Sequence, residues 1–286
     1  MKNKFLLGLS ALLAVALIPL VSLSKENSTD TVVLSAGDTL VLNSEVNGES
    51  VGAIIVKAKE LDAKLAGPMG LNHKAPLYLY LNTPGGSIES GLQLIEALKG
   101  LGRPVHTVTY FAASMGFQIA QNLDSRYILK SGTLMSHRAA GSFEGSFGGT
   151  SPSQLDQRVH YFTQVTREMD EQTVSRTNGK QTLESYQKSY SSELWMTGAE
   201  SIKGGYADQI IKVKCGKDLL GTTQHQTEFL GMPVTYELDN CPINTAPLNV
   251  KVGGTAGASQ EYLNRVKTQF VAGYTMKLAT PLPLVL

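Results

Sequence analysis

Leu77-Tyr-Leu-Tyr-Leu-Asn-Thr-Pro-Gly-Gly-Ser-Ile-Glu-Ser-Gly91 opens the stretch whose reading decides the fold; it continues through Ala112-Ala-Ser-Met-Gly116 to Met135-Ser-His137. Leu77 to Leu81 is a short apolar run closed by the Pro84-Gly85-Gly86 turn, which predicts a buried strand. Ser87 can cap a helix whose apolar positions Ile88, Leu92, Ile95 and Leu98 recur at helical spacing before Gly100 and Gly102. Val105 to Tyr110 alternates as a strand, Ser114 opens the next helix, and Arg126 to Leu129 and Thr133 to Ser136 read as two further strands. Such βαβαβ alternation implies a parallel sheet with crossover helices, hence an α/β fold.

Working outward, Thr31 to Leu42 holds two β-branched apolar runs split by Gly37-Asp38, read as a hairpin or as two successive strands. Val51 to Leu65 is helical by its spacing and ends at Gly67-Pro68. Gly141 to Ser153 is rich in Gly and Ser and reads as a loop. Ser153 is expected to cap a long helix with Leu155, Val159, Phe162, Thr166, Met169 and Thr173 on one face, stopped by Asn178-Gly179. Trp195-Met196 reads as a short strand, Thr197 and Glu200 as a capping box, and Gln209 to Val213 as a last core strand. After Cys215 the style changes. Thr227–Leu230 and Pro233–Leu238 suggest small antiparallel strands, Thr245–Ala258 a linker, and Ser259–Ala272 an amphipathic helix. The division expected is a leader over 1–24, a main domain over 31–213 and a C-terminal extension over 214–286.

Lys2 and Lys4 followed by the apolar stretch from Phe5 to Leu23, with small Ser22 and Ser24 before a cleavage point, read as an export signal. The stretch is also long enough to remain as a membrane anchor, about 18–20 residues sufficing to span. No cysteine near its end supports a lipoprotein anchor. An extracytoplasmic or periplasmic location is therefore expected, with membrane association through the N-terminus as the alternative. The apolar end, Pro281 to Leu286, is too short to span. Net charge is +1, and without Lys2 and Lys4 the 25 basic residues fall to 23 against 24 acidic ones. No basic block survives, which gives nucleic-acid binding no electrostatic support. Cys215 and Cys241, the two cysteines, have neither metal-ligand spacing nor a CxxC partner. In an exported chain they read as one disulfide, with two separate buried thiols as the other reading.

Three pieces carry chemistry. Ser114, where a strand turns into a helix, exposes its hydroxyl and lies beside the free N–H groups of the first helical turn, with small Ala112, Ala113 and Gly116 permitting a sharp turn. Gly85-Gly86 lets a backbone N–H face a cleft with no side chain in the way. Of His73, His106, His137, His160 and His225, His137 alone ends a core strand just past Ser114, where it can accept the serine proton and return it to a leaving amine. Separately, each has a bland reading: a helix cap, a tight turn, a structural histidine. Together they indicate a serine hydrolase with no metal or organic cofactor.

The run 77–91, Ala112–Gly116 and Met135–His137, continued by Trp195-Met-Thr-Gly-Ala-Glu200 and Gly205-Tyr-Ala-Asp208, resembles the proteolytic subunit of the Clp protease over roughly residues 31–213. The resemblance implies a crotonase-like superhelical α/β core carrying a small disulfide-clipped extension, and a serine endopeptidase that assembles into homo-oligomeric rings and cleaves peptides or unfolded proteins. It makes Ser114 the nucleophile, His137 the base, and the N–H groups of Gly85 and Met115 the oxyanion hole. Glu193 stands where the family places its catalytic aspartate, and a glutamate can serve as third member of a triad. Asp208 matches a structural position. Two further departures stand out: a leader that would take the chain away from ATP, so that activity is expected to be independent of an ATPase, and the added residues 214–286. A signal-peptide-peptidase-type membrane protease shares the fold but needs a lysine base. No lysine occurs from Ser131 to Gly179, leaving Lys130 as a distant candidate. A non-catalytic scaffold and acyl-CoA chemistry are the remaining alternatives; the intact Ser114, His137 and double glycine count against the first, and nothing specific supports the second.

Overall fold

The computed structural model describes residues 30–67, 74–139, 152–254 and 259–279. The leader, the Gly-rich loop from Gly141 to Ser151 and the end at 281–286 lie outside these. Seven strands form the main sheet: β1 (Thr31–Leu34), β2 (Thr39–Leu42), β3 (Leu77–Thr83), β4 (Val105–Ala113), β5 (Arg126–Ser136), β6 (Leu194–Thr197) and β7 (Gln209–Cys215). Their order is β1-β7-β5-β4-β3-β2, with β6 joining β5. All pairs on this path are parallel, and β6 alone runs antiparallel.

β1 and β2 are thus successive strands rather than a hairpin, and they occupy opposite ends of the sheet. Five steps across a flat sheet would separate them by about 24 Å. The chain from Leu34 to Thr39 reaches at most about 17 Å. The sheet must therefore curl until its two ends nearly meet. Leu34, Tyr80, Val108 and Ile211, from β1, β3, β4 and β7, fill one cluster on this curl. The larger cluster joins the sheet to the helices: Val51, Ile54, Ala58 and Leu61 of α1 (Gly48–Ala66), Leu94, Ile95 and Leu98 of α2 (Ile88–Lys99), and Phe117, Ile119 and Ala120 of α3 (Met115–Asn122).

The two strands expected at 126–129 and 133–136 are one strand, β5. Its pairing with β4 slips between Thr109↔Ile128 and Phe111↔Thr133, so extra residues bulge at Leu129–Gly132. There β5 exchanges its other neighbour from β7 to β6. A Cβ on Gly132 would lie 2.8 Å from the Thr109 carbonyl oxygen, which is why the bulge needs glycine.

The long helix α4 spans Pro152–Ser175 and already includes Ser153, so its start precedes the expected cap. Its expected apolar face is buried only toward the C-terminal end, at Met169 and Thr173; Leu155 and Val159 are exposed. A short helix α5 (Leu183–Ser189), absent from the sequence reading, follows with a Thr182–Ser185 capping box and a buried Tyr186. The box at Thr197–Glu200 is present and opens α6 (Gly198–Gly204), which ends on left-handed Gly205.

In the C-terminal region β8 (Thr222–Phe229) and β9 (Met232–Asp239) form a hairpin, and β10 (Leu248–Val252) adds to β9 antiparallel. The linker expected over Thr245–Ala258 therefore contains a strand. Val250 points inward and packs with Val234 and with Phe270 of α7 (Gln260–Ala279). Leu230 and Gly231 both have positive φ, 52° and 72°, the left-handed two-residue turn that suits a twisted hairpin. Cys215 and Cys241 are joined in a disulfide, tying the end of β7 to the end of β9. Asp218 holds the β1–β2 turn by accepting hydrogen bonds from the Ser35 hydroxyl and the Ala36 N–H, each 2.8 Å.

Candidate active site

Ser114 sits between the last residue of β4 and the first of α3, with φ 56° and ψ −119°. A side chain is rarely tolerated there, and such a residue costs on the order of 1–3 kcal/mol. The position is over-determined: the Ser114 N–H donates to the Met135 carbonyl on β5 at 2.9 Å, and its carbonyl accepts from Gln118 at 3.2 Å inside α3. Ser114 makes no side-chain cap to its own helix. The hydroxyl is turned toward His137 instead, which removes the helix-cap reading.

His137 directly follows β5, one residue past Ser136, and β4 and β5 pair at Ala113↔Met135. This register sets serine and histidine side by side. His137 Nε2 lies 2.8 Å from Ser114 Oγ, a hydrogen bond in the range a general base requires. Both residues are half-buried. The remaining ring nitrogen, Nδ1, is left for an orienting partner.

β6 pairs antiparallel with β5 at Ser136↔Leu194 and Met135↔Trp195, so His137 and Glu193, the next residues on the two strands, leave the same end of the ladder. The Glu193 carboxylate, however, accepts from Trp195 Nε1 at 2.7 Å and is not hydrogen-bonded to the imidazole. The structure brings Ser114 and His137 together and leaves Glu193 on the Trp195 indole at the same end of the β5–β6 ladder, without closing a triad.

The two expected oxyanion donors, Met115 and Gly85, differ in their hydrogen bonding. Met115 N–H begins α3 and has no hydrogen-bond partner among the described residues, as expected for the first turn of a helix. Gly85 N–H, by contrast, donates to Thr83 Oγ1 at 3.1 Å. The neighbouring Gly86 N–H has no partner among the described residues. Gly85 still matters sterically: with φ 96°, a Cβ there would come 2.6 Å from the Ala113 carbonyl oxygen and 2.7 Å from Ser114 Cβ. Gly86, at φ 144°, would put a Cβ 2.3 Å from the Val46 carbonyl oxygen. Both glycines let this turn lie flat against the serine, and Val46 locks it by bonding Gly85 O and Ser87 N.

Behind the histidine, Ser136 Oγ and Tyr186 OH are 2.6 Å apart and buried. Tyr186 packs on Tyr190, whose hydroxyl donates to the buried carboxylate of Asp170, as does Gln187 Nε2 at 2.9 Å. Burial pushes the Asp170 carboxyl above its ordinary range, against the pull of these donors. Arg138, next to His137 in sequence, lines a groove of about 610 Å³ with Val159, Phe162, Leu183 and Tyr190.

The other described histidines take no part in this arrangement. His106 Nδ1 accepts from the Ser125 N–H between the rings of Tyr78 and Tyr127, and burial lowers its pKa. His160 is exposed on α4, His225 lies on β8, and His73 falls outside the described residues. Lys130, the candidate for a serine–lysine dyad, sits in a surface groove with Ile211 and Lys212. Asp208 binds Arg126 through side-chain and backbone hydrogen bonds, a structural clamp between β5 and β7. Among the described residues no group of His, Cys, Asp or Glu could hold a metal ion, and no helix is long and apolar enough to cross a membrane.

The family described as Clp protease matches residues 28–214. Relatives include the ATP-dependent Clp protease proteolytic subunit of Streptococcus mutans, 28% identical over 60% of this chain and 84% of that protein. Those of Streptococcus pyogenes strain Manfredo and Streptococcus equi subsp. equi are each 27% identical over the same shares. With the family matched over well more than half its length, and with a mainly parallel curled sheet presenting a serine to a histidine, the chain belongs to the Clp protease family of serine peptidases.

Proposed function

We propose that this protein is an extracytoplasmic serine endopeptidase that cleaves peptides or unfolded proteins through an acyl-enzyme, without an ATPase. The observation that carries the chemistry is the 2.8 Å contact between Ser114 Oγ and His137 Nε2 at a strained strand-to-helix hinge. Ser114 Oγ attacks the peptide carbonyl while His137 Nε2 takes its proton. The resulting oxyanion is held by the N–H groups of Met115 and Gly86, with Gly85 shaping the turn. Collapse breaks the C–N bond, and His137 returns the proton to the leaving amine. Water, deprotonated by the same imidazole, then releases the acyl group. Glu193 is the carboxylate proposed to orient His137: it precedes β6 where His137 follows β5, at the same end of their pairing, and in that role it would exchange the Trp195 indole for Nδ1.

The extracytoplasmic setting is supported by the apolar leader at 5–23 after Lys2 and Lys4, and by a disulfide, a bond that persists in oxidising compartments. Independence from an ATPase follows from that setting. Assembly into a homo-oligomeric ring is part of the proposal, carried by membership of the family.

The test is labelling of the mature protein by a fluorophosphonate probe, which reacts with an activated serine. Labelling is expected in the wild type and lost in Ser114→Ala and His137→Ala. A folded wild type that resists the probe would overturn the peptidase reading in favour of a scaffold.

A further inference from the structure

Among the described residues β8 is an edge strand, bonded to β9 alone. Its register, from Thr222↔Asp239 to Phe229↔Met232, closes on a two-residue turn and is extended by a 3.0 Å bond from Asn240 N–H to the Gly221 carbonyl. In an antiparallel ladder alternate residues bond inward. Gly221, Thr223, His225, Thr227 and Phe229 therefore face β9 with their main-chain groups. Thr222, Gln224, Gln226 and Glu228 direct theirs outward, where no described residue meets them. Side chains from Thr222 to Glu228 are all exposed. Proline, lysine and bulges, which usually protect such an edge, are absent from this strand, and its one charge sits beside the turn.

Thr223-Gln224-His225-Gln226-Thr227 reads the same in both directions. An isologous contact needs a surface complementary to itself. Two antiparallel copies of β8 centred on His225 would set each Gln224 against Gln226 of the partner subunit and each Thr223 against Thr227 of the partner subunit. The ladder agrees with that centre. His225 bonds inward, so the two histidines would form the close, non-hydrogen-bonded pair on the axis. The outward groups of Gln224 and Gln226 would then exchange both their bonds, and Thr222 and Glu228 would do the same one step out. α7 packs across one face of the small sheet, Phe270 reaching Phe229, Tyr236 and Val250, and among the described residues none bonds the outward edge of β8.

The geometry points to β8 as a homodimerisation edge that joins the three-stranded sheets of two copies into one of six strands. The edge lies beyond residues 28–214, so this contact is additional to any assembly of the peptidase domain and independent of its chemistry.

The full chain carrying His225→Cys is oxidised mildly and run on a non-reducing gel, with the native Cys215–Cys241 disulfide intact. A covalent dimer is expected. Adding Gln226→Pro removes an outward N–H while sparing the bonds to β9, and should reduce the cross-link at least tenfold. By sedimentation, Gln226→Pro alone should lower the mass of the wild-type particle. A folded His225→Cys protein that stays uncoupled, a cross-link that survives Gln226→Pro, or an unchanged particle mass would each overturn the inference, leaving the edge free or open to an unrelated extended peptide.

Discussion

Ser114 shows how far a single backbone angle reaches. Its φ of 56° exposes the hydroxyl, aims it at His137 and frees the first N–H of α3. The same angle costs stability, and the cost falls on any residue with a Cβ. Ser114→Gly should therefore exceed Ser114→Ala in unfolding free energy by about 1 kcal/mol in urea titrations, with both variants inactive. Glu193 and Trp195 give the second prediction at this scale. Glu193→Ala should slow peptide turnover less than Ser114→Ala or His137→Ala does, whereas Trp195→Phe, which removes the competing donor, should raise kcat/KM. Loss of activity in Trp195→Phe would show that the indole positions the site in another way. Ser114 and His137 were legible in the sequence because small residues around a serine, and a histidine at a strand end, are local signals. Which of the Gly85 and Gly86 N–H groups is left without a partner among the described residues was not. It turns on Thr83 Oγ1 accepting one N–H rather than the other, a matter of orientation that no spacing encodes.

Among the elements, those with strong periodicity were legible: α1, α2, β3, β4 and the Thr197 capping box all stand where their apolar spacing and caps put them. β10 was not, because its short alternation lies among polar residues and glycines, and only Val250 meeting Val234 and Phe270 makes it a strand. α5 is seven residues long and shows little beyond its cap. Yet α5 carries Tyr186, Gln187 and, just after it, Tyr190, which build the wall behind Ser136 and enclose Asp170. Burial raises the Asp170 pKa above 3.8, so the folded state holds this proton more tightly than the unfolded chain. Stability linked to Asp170 is thus greatest at low pH and declines as pH rises through its folded pKa. Asp170→Asn should remove that decline. The difference in unfolding free energy between the two proteins, followed by denaturant titration from pH 3 upward, should shift toward the variant and then level, with a neutral-pH change within about 1 kcal/mol.

At the scale of the whole molecule, the curl of the sheet was legible only as a class of fold, since it depends on which strands pair and not on what each strand looks like. The disulfide was legible in the cysteine count and its context; its mechanical role was not. It closes a loop with a sequence separation of 26, which loop-closure entropy values at roughly 3 kcal/mol. Cys215→Ser with Cys241→Ser should lower the melting temperature of the C-terminal sheet while fluorophosphonate labelling of Ser114 persists, because Ser114 and His137 are held by the β4–β5 pairing, in which neither cysteine takes part. Loss of labelling in a sample whose main domain remains folded would show that the extension supports catalysis. The parallel pairing of β1 with β7 carries a last consequence. The first and final strands of the peptidase domain lie side by side, with Leu34 against Cys215 and the Lys212 N–H bonded to the Asp30 carbonyl. Entry and exit share one edge of the sheet, at opposite ends of a four-residue pairing. Sequence added before or after the domain therefore departs from the β1–β7 margin, not from the β4–β5 pair that holds the serine.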